Sequence, residues 1–212
     1  KDNVKSSDAD TVLAVERLIF DIAESFDDGV STDAEWNKLT KASAKCKELS
    51  KRIADVADEI ARLTDGVNSY DINTVTSDDK TDIEKLIADI DVLLGGDNLT
   101  PAERDSLEAL KALAKSLSER IEAAKSAAES PEITAVKGIT KDNAKLEDKN
   151  ALTKAKKAIE DALKTFGNNY TEEERKELEK QLDTVNEALE AIGNAEKVKD
   201  EIDKLPSPDN IT

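Results

Sequence analysis

The sequence predicts an all-α chain: tandem three-helix bundles that share long connecting helices in an elongated, spectrin-like rod. Three observations predict it. Apolar residues recur at steps of three and four along most of the chain. Only 4 Pro and 7 Gly punctuate 212 residues, too few for the turn every 8–12 residues or so that an all-β fold needs. The pattern also restarts at a fixed interval, the mark of an internal repeat.

The restart is written in the residues. Asp2-Asn3-Val4-Lys5, Asn73-Thr74-Val75-Thr76, Asp142-Asn143-Ala144-Lys145 and Asp209-Asn210-Ile211-Thr212 hold equivalent places, 71, 69 and 67 residues apart. Three of these markers precede an acidic helix start: Ser7-Asp8, Asp78-Asp79-Lys80 and Glu147-Asp148-Lys149. Three helical repeats are therefore expected, at 1–73, 74–142 and 143–212, the last closing on the start of a further bundle. No Met is present, even at position 1, so the expectation is a piece of a longer protein.

Each repeat opens with a short helix of heptad pattern. Its apolar stripe is Val12, Leu13, Val15, Ile19, Ile22 and Phe26 in the first repeat. It is Ile83, Leu86, Ile90 and Leu93 in the second, and Leu152, Ala155, Ile159, Ala162 and Phe166 in the third. Gly29, Gly95-Gly96 or Gly167 then stands near the helix end, where left-handed backbone suits Gly. The long helix begins each time with a Thr-x-x-Glu capping box: Thr32 with Glu35, Thr100 with Glu103, Thr171 with Glu174. Pro101 takes the first helical position, where its missing N–H costs nothing.

In the first long helix Leu39, Ala42, Cys46, Leu49, Ile53, Val56, Ile60 and Leu63 keep phase across Asp33–Thr64, about 46 Å of helix. The short helix covers about half of that length, so the next repeat's helices must cover the rest. The second long helix carries Leu107, Leu110, Ala114, Leu117, Ile121, Ala124 and Ala128 and should end before Pro131. In the third, Leu189, Ile192, Ala195 and Val198 slip phase, which predicts a kink or break at Gly193-Asn194. Val67–Thr76, Glu132–Leu146 and Pro206–Thr212 read as extended linkers, with one or two short strand-like pairings left open.

Composition narrows the function. Apolar residues make up 38% and charged residues 37%, with six aromatics, so several small Ala/Leu/Ile cores are expected. The net charge of −17 repels phosphate backbones and anionic membranes, which argues against a nucleic-acid partner. No apolar run reaches the ~18 residues of a membrane span, and no signal peptide is seen. There is no His, which removes Ser-His-Asp and Cys-His nucleophile activation and the usual zinc ligands. No catalytic, cofactor or metal residues are assigned. The single Cys46 sits at a core heptad position and reads as a buried small hydrophobe. Asp27-Asp28 with Asp33 and Glu35, or Asp78-Asp79 with Asp82, could offer oxygens to calcium. Neither fits the EF-hand spacing, and helix capping accounts for them. The sequons at Asn98, Asn169 and Asn210 read as coincidence, since Thr100 and Thr171 serve as helix caps.

Two features point to binding. Lys38, Lys41, Lys45 and Arg52 form a basic stripe on an acidic chain, either a solvated face or a contact for an acidic protein or sulfated glycan. Trp36 stands where the other repeats carry Arg104 and Arg175, so its position is a rim or a surface. There it either caps the bundle end against Phe26 or serves as an interface anchor.

Leu205-Pro206-Ser207-Pro208-Asp209-Asn210-Ile211-Thr212 resembles a helical repeat of large Gram-positive surface proteins. Thr76-Ser77-Asp78-Asp79-Lys80 through Asn98-Leu99-Thr100-Pro101-Ala102-Glu103-Arg104 is similar to the same repeats in gut Clostridia. These belong with FIVAR-like three-helix surface modules. The first repeat departs most, with Ala9 in place of Lys80 and Lys149, and with Trp36. The resemblance implies an extracellular, wall-attached or secreted protein whose repeats act as spacers, adhesins or binders of host proteins such as immunoglobulin or albumin. The expected function is thus a non-catalytic, monomeric module binding a host protein such as an immunoglobulin through helix faces. The alternative is a passive stalk that holds other domains away from the wall.

Overall fold

The computed structural model describes residues 4–25 and 32–204, and these are all-α. The helices are α1 (Ala9–Ser25), α2 (Asp33–Asn68), α3 (Lys80–Leu94), α4 (Pro101–Ala128), the single turn α5 (Pro131–Thr134), α6 (Lys149–Phe166) and α7 (Glu172–Ile202). No strand occurs among the described residues, so the linker pairings left open by the sequence do not form there. Phe26, Asp27, Asp28, Gly29 and Pro206–Thr212 lie outside the described residues.

Local devices set the helix starts, and they recur. The backbone N–H groups of Lys5, Thr76 and Lys145 donate to the carboxylates of Asp8, Asp79 and Asp148 at 2.9, 2.9 and 2.8 Å. Each opens a one-turn 3₁₀ segment that runs straight into α1, α3 or α6. All three Thr-x-x-Glu boxes close as well. The N–H groups of Thr32, Thr100 and Thr171 donate to Glu35, Glu103 and Glu174 at 2.9, 2.7 and 2.8 Å. The Thr hydroxyls accept the return bonds from the Glu N–H groups. One further contact links a helix start to a later cap: the Ser77 hydroxyl donates to Glu174 at 2.8 Å. The Ser6 hydroxyl bonds Glu103 in the same way, across the same sequence separation.

The chain divides by compactness into two units. One is Lys1–Tyr70 with Asp82–Ser116; the other is Asp71–Thr81 with Leu117–Thr212. In the first, Val4, Val12 and Cys46 form a small core with Ile19, Leu49 and Ile53 packed against it. Leu63, Val67, Ile83, Ile90 and Leu107 are also buried in this unit. The second has a core of its own. Ala124, Ile133 and Val136 join Leu152, Ala155, Ile159, Leu178, Val185, Ala188 and Ile192 there.

Several sequence expectations are corrected. α2 runs 36 residues to Asn68, about 54 Å, because Val67 is buried as a helical residue rather than extended in a linker. The stretch 132–146 is not extended: α5 and successive turns carry it, with Ile133 and Val136 in the core. Gly95, Gly96 and Gly167 do not use left-handed backbone; among the described residues only Gly138 does, at φ +89°. α7 passes through Gly193-Asn194 without a break. The phase slip shows instead as lost burial, with Ile192 buried and Ala195, Val198 and Ile202 exposed. On α1 only Val12 of the expected stripe is fully buried, while Leu13 and Val15 are exposed.

Candidate functional site

An open cavity with a mainly apolar lining lies where α1 meets the start of α2. The Thr32 box fixes the first turn of α2, and the Trp36 N–H donates to the Thr32 carbonyl at 3.1 Å. Backbone and hydroxyl hydrogen bonds from Thr32 hold the Glu35 carboxyl below its ordinary value, helped by the nearby Lys38 charge. The α2 start is therefore an ionised, well-ordered cap at neutral pH. Trp36 follows it at 50% exposure, facing Phe20 of α1 at 60%. With Ile19, Ala23 and Leu39 these rings line a cavity of about 440 Å³, to which Glu16 and Lys47 add one charge of each sign.

The sequence offsets set this cavity apart within its own chain. Phe20 aligns with Asp91 and Glu160, Trp36 with Arg104 and Arg175, and Ser43 with Lys111. In α3 and α4 those positions are polar and paired: Asp91 and Lys111 form an ion pair at 2.5 Å. Arg104 donates to the Leu94 and Gly96 carbonyls at 2.6 and 3.0 Å, closing the α3 end. In α7 Arg175 meets Glu179 at 3.6 Å on the surface. α1 and α2 carry two aromatic rings at the places where these elements carry charges. Such exposed aromatics are the residue types that dominate protein interfaces. No family model matches the chain, and no curated protein or solved structure does either. The reading of this surface therefore stands on its chemistry.

The basic residues lie elsewhere. Lys38, Lys41, Lys45 and Arg52 share a flank of α2 roughly 160° around the helix from Trp36, Thr40, Ser43 and Lys47, at about 100° per residue. Lys45 pairs with Glu48 at 3.1 Å. Trp36 and the stripe are thus two surfaces on one helix, and the structure does not bring them together. Phe20 was missed from the sequence although the repeat offset that singled out Trp36 applies equally to it. Cys46 is buried between the two surfaces, as its heptad position predicts. Among the described residues no group of three acidic, Cys or His side chains is gathered to hold a metal ion. Among them, too, no helix is long and apolar enough to cross a membrane.

A second polar cluster sits in the other unit. Asn169 is buried and fully satisfied: its amide donates to the Ile72 and Val75 carbonyls at 3.0 and 2.9 Å and accepts from Arg120 at 2.9 Å. Arg120 also lies 4.4 Å over the Phe166 ring. The Tyr170 hydroxyl donates to the Ala124 carbonyl at 2.9 Å. Burial, then the Glu174 charge, push the Tyr170 phenol up to about 12 against an opposing pull from Arg120. Every group here has a partner, so the cluster fixes structure and offers nothing to a ligand. It also takes the Asn169 sequon out of reach of a glycosylating enzyme in the folded chain.

Proposed function

We propose that this chain is a non-catalytic module of a bacterial surface protein, built of tandem three-helix repeats that share long helices. It binds a host protein, such as an immunoglobulin, through the α1/α2 surface. The observation that carries this reading is the exchange of charged residues for Phe20 and Trp36 in one repeat only. The other repeats do without aromatics at these positions, so the fold does not require them. The basic flank of α2 is a second contact that would speed the approach of an acidic partner. A passive spacer is the competing reading, and the lack of exposed aromatic residues on α6 and on α7 favours it for the later part of the chain.

The single Trp of the chain makes the test direct. Titration of purified immunoglobulin and other abundant serum proteins should shift Trp36 emission saturably for the true partner. Trp36→Arg and Phe20→Asp use residues that the chain itself places at these positions, so folding is preserved. Each should weaken binding by roughly 30-fold or more, the loss of about 2 kcal/mol typical of an interface anchor. Removal of Lys41 and Arg52 should act mainly through salt dependence. Unchanged emission and no saturable binding with any candidate would leave the spacer reading.

A further inference from the structure

The cavity between α1 and the start of α2 is a space that cations fill in the corresponding α3/α4 groove. By the sequence offsets, Ser43 holds the place of Lys111 and Trp36 that of Arg104. In the α3/α4 groove Lys111 pairs with Asp91, and Arg104 bonds the Leu94 and Gly96 carbonyls. That groove is closed by its own side chains. The α1/α2 cavity owes its opening in the same way to its own residues, which put a small hydroxyl and an indole where α4 carries two long cations. The places in α6 and α7 are filled too. Leu182, at the place of Ser43, packs against the core, and Glu160 meets Lys156 at 3.9 Å.

The cavity lacks those cations but has a carboxylate. Glu16 lines it one turn from Phe20, about 6 Å along α1. α3 has Ile87 at that place. Glu16 is half-buried, and among the described residues it has no ion-pair partner. Lys47 does not answer it. That residue stands at the far end of the lining, about 16 Å along α2 from Trp36, and α4 keeps a cation, Lys115, at the same place. Two exposed rings and one carboxylate therefore meet in the field of a chain carrying −17. A guanidinium or ammonium gains from the ring faces and from the carboxylate, while its methylene stem covers apolar surface. The chain makes such a contact within itself, where the Arg120 guanidinium lies 4.4 Å over the Phe166 ring. A purely apolar side chain would instead strip water from Glu16 and leave its charge unanswered.

We infer that the α1/α2 cavity receives a cationic side chain of the partner protein, with its stem between Phe20 and Trp36 and its charge at Glu16. Arginine suits it better than lysine, because a planar guanidinium stacks on rings and meets a carboxylate through two hydrogen bonds. The inference rests on the host-protein reading for the source of the cation, and on the cavity alone for its fit.

Titration of the intact chain with small probes tests it without any host protein. The probes are N-acetyl-arginine amide, its citrulline analogue, which keeps the shape and drops the charge, and N-acetyl-leucine amide. The readout is the indole N–H signal of the single Trp in NMR spectra. The arginine probe should shift that signal saturably in the millimolar range and bind about threefold or more tightly than the two neutral probes. Glu16→Gln should remove this advantage and leave the neutral probes as they were. Ser43→Lys, the residue that α4 uses, should fill the cavity and abolish all three shifts with helicity unchanged. Equal or tighter binding of the leucine probe, an arginine advantage that survives Glu16→Gln, or no saturable shift with arginine overturns the proposal. The two readings fail separately. A serum protein that binds through Trp36 but ignores Glu16→Gln removes this inference and keeps the host-protein reading. An arginine probe that binds where no serum protein does removes the host-protein reading and keeps the preference of the cavity for cations.

Discussion

Glu103 illustrates how single side chains set the helix starts. Burial pushes its carboxyl up, but hydrogen bonds from the Ser6 hydroxyl and from the backbone and hydroxyl of Thr100 outweigh it. The net result is a pKa below the ordinary 4.5. A depressed carboxyl contributes stability that is complete above its unfolded value and lost as pH falls through its folded one. Glu103→Gln keeps an acceptor for the box and removes the titration. The wild type should therefore be more stable by a few tenths to about 1 kcal/mol at neutral pH, with the gap closing at an acidic pH below the folded-state value of the carboxyl. Paired denaturant titrations at the two pH values check this, and a gap independent of pH would refute it. At this scale the Thr and Glu of each box were legible because capping is local. The Ser6–Glu103 and Ser77–Glu174 contacts were not, because they join residues 97 apart that only the fold brings together. The Asn169 network was hidden for the same reason: a buried Asn is recognisable only when the carbonyls it serves are known.

At the scale of the element, apolar phase and helix continuity turn out to be separate properties. Backbone hydrogen bonds are made within the helix and do not need its side chains to be buried, so α7 continues where its stripe loses the core. Gly193 then costs the helix conformational entropy without any packing in return: a Cβ there would meet nothing within 4 Å. Gly193→Ala should stabilise the chain by roughly 0.5–1 kcal/mol, read as a raised thermal midpoint. Gly66→Ala should gain less or nothing, since its Cβ must displace the Leu86 side chain. The sequence located the starts of α2, α4 and α7 through their capping boxes, whereas the end of α2 ran past the expected Thr64. Gly66 does not act as a stop there: α2 continues through it and Val67 finds a core to enter.

For the whole molecule, burial is uneven along the chain. α6 contributes Leu152, Ala155, Ile159 and Ala162 to the interior, and α7 adds Leu178, Val185, Ala188 and Ile192. α1 contributes Val12 alone, and the first half of α2 only Cys46. With roughly 1.5–3 kcal/mol for each large apolar side chain buried, local opening should be far easier at the α1/α2 start. Amide hydrogen exchange should accordingly be fastest in α1 and in Asp33 to about Arg52, and slowest in α6 and the middle of α7. Uniform protection along the chain would contradict the uneven packing. The all-α class was legible from periodicity and the scarcity of Gly and Pro. This gradient was not, because heptad spacing marks which residues face inward and not whether anything lies opposite them.

Cys46 turns that gradient into a clock. The only thiol of the chain is enclosed by Val12 and the half-buried Ile19, Leu49 and Ile53, in the segment least anchored by burial. A thiol reagent added to the folded chain reaches it only when α1 lifts from α2. Its labelling rate counts those departures one by one, with no engineered probe and no competing sulfur. Whatever settles on α1 would be heard as a slowing of that single reaction.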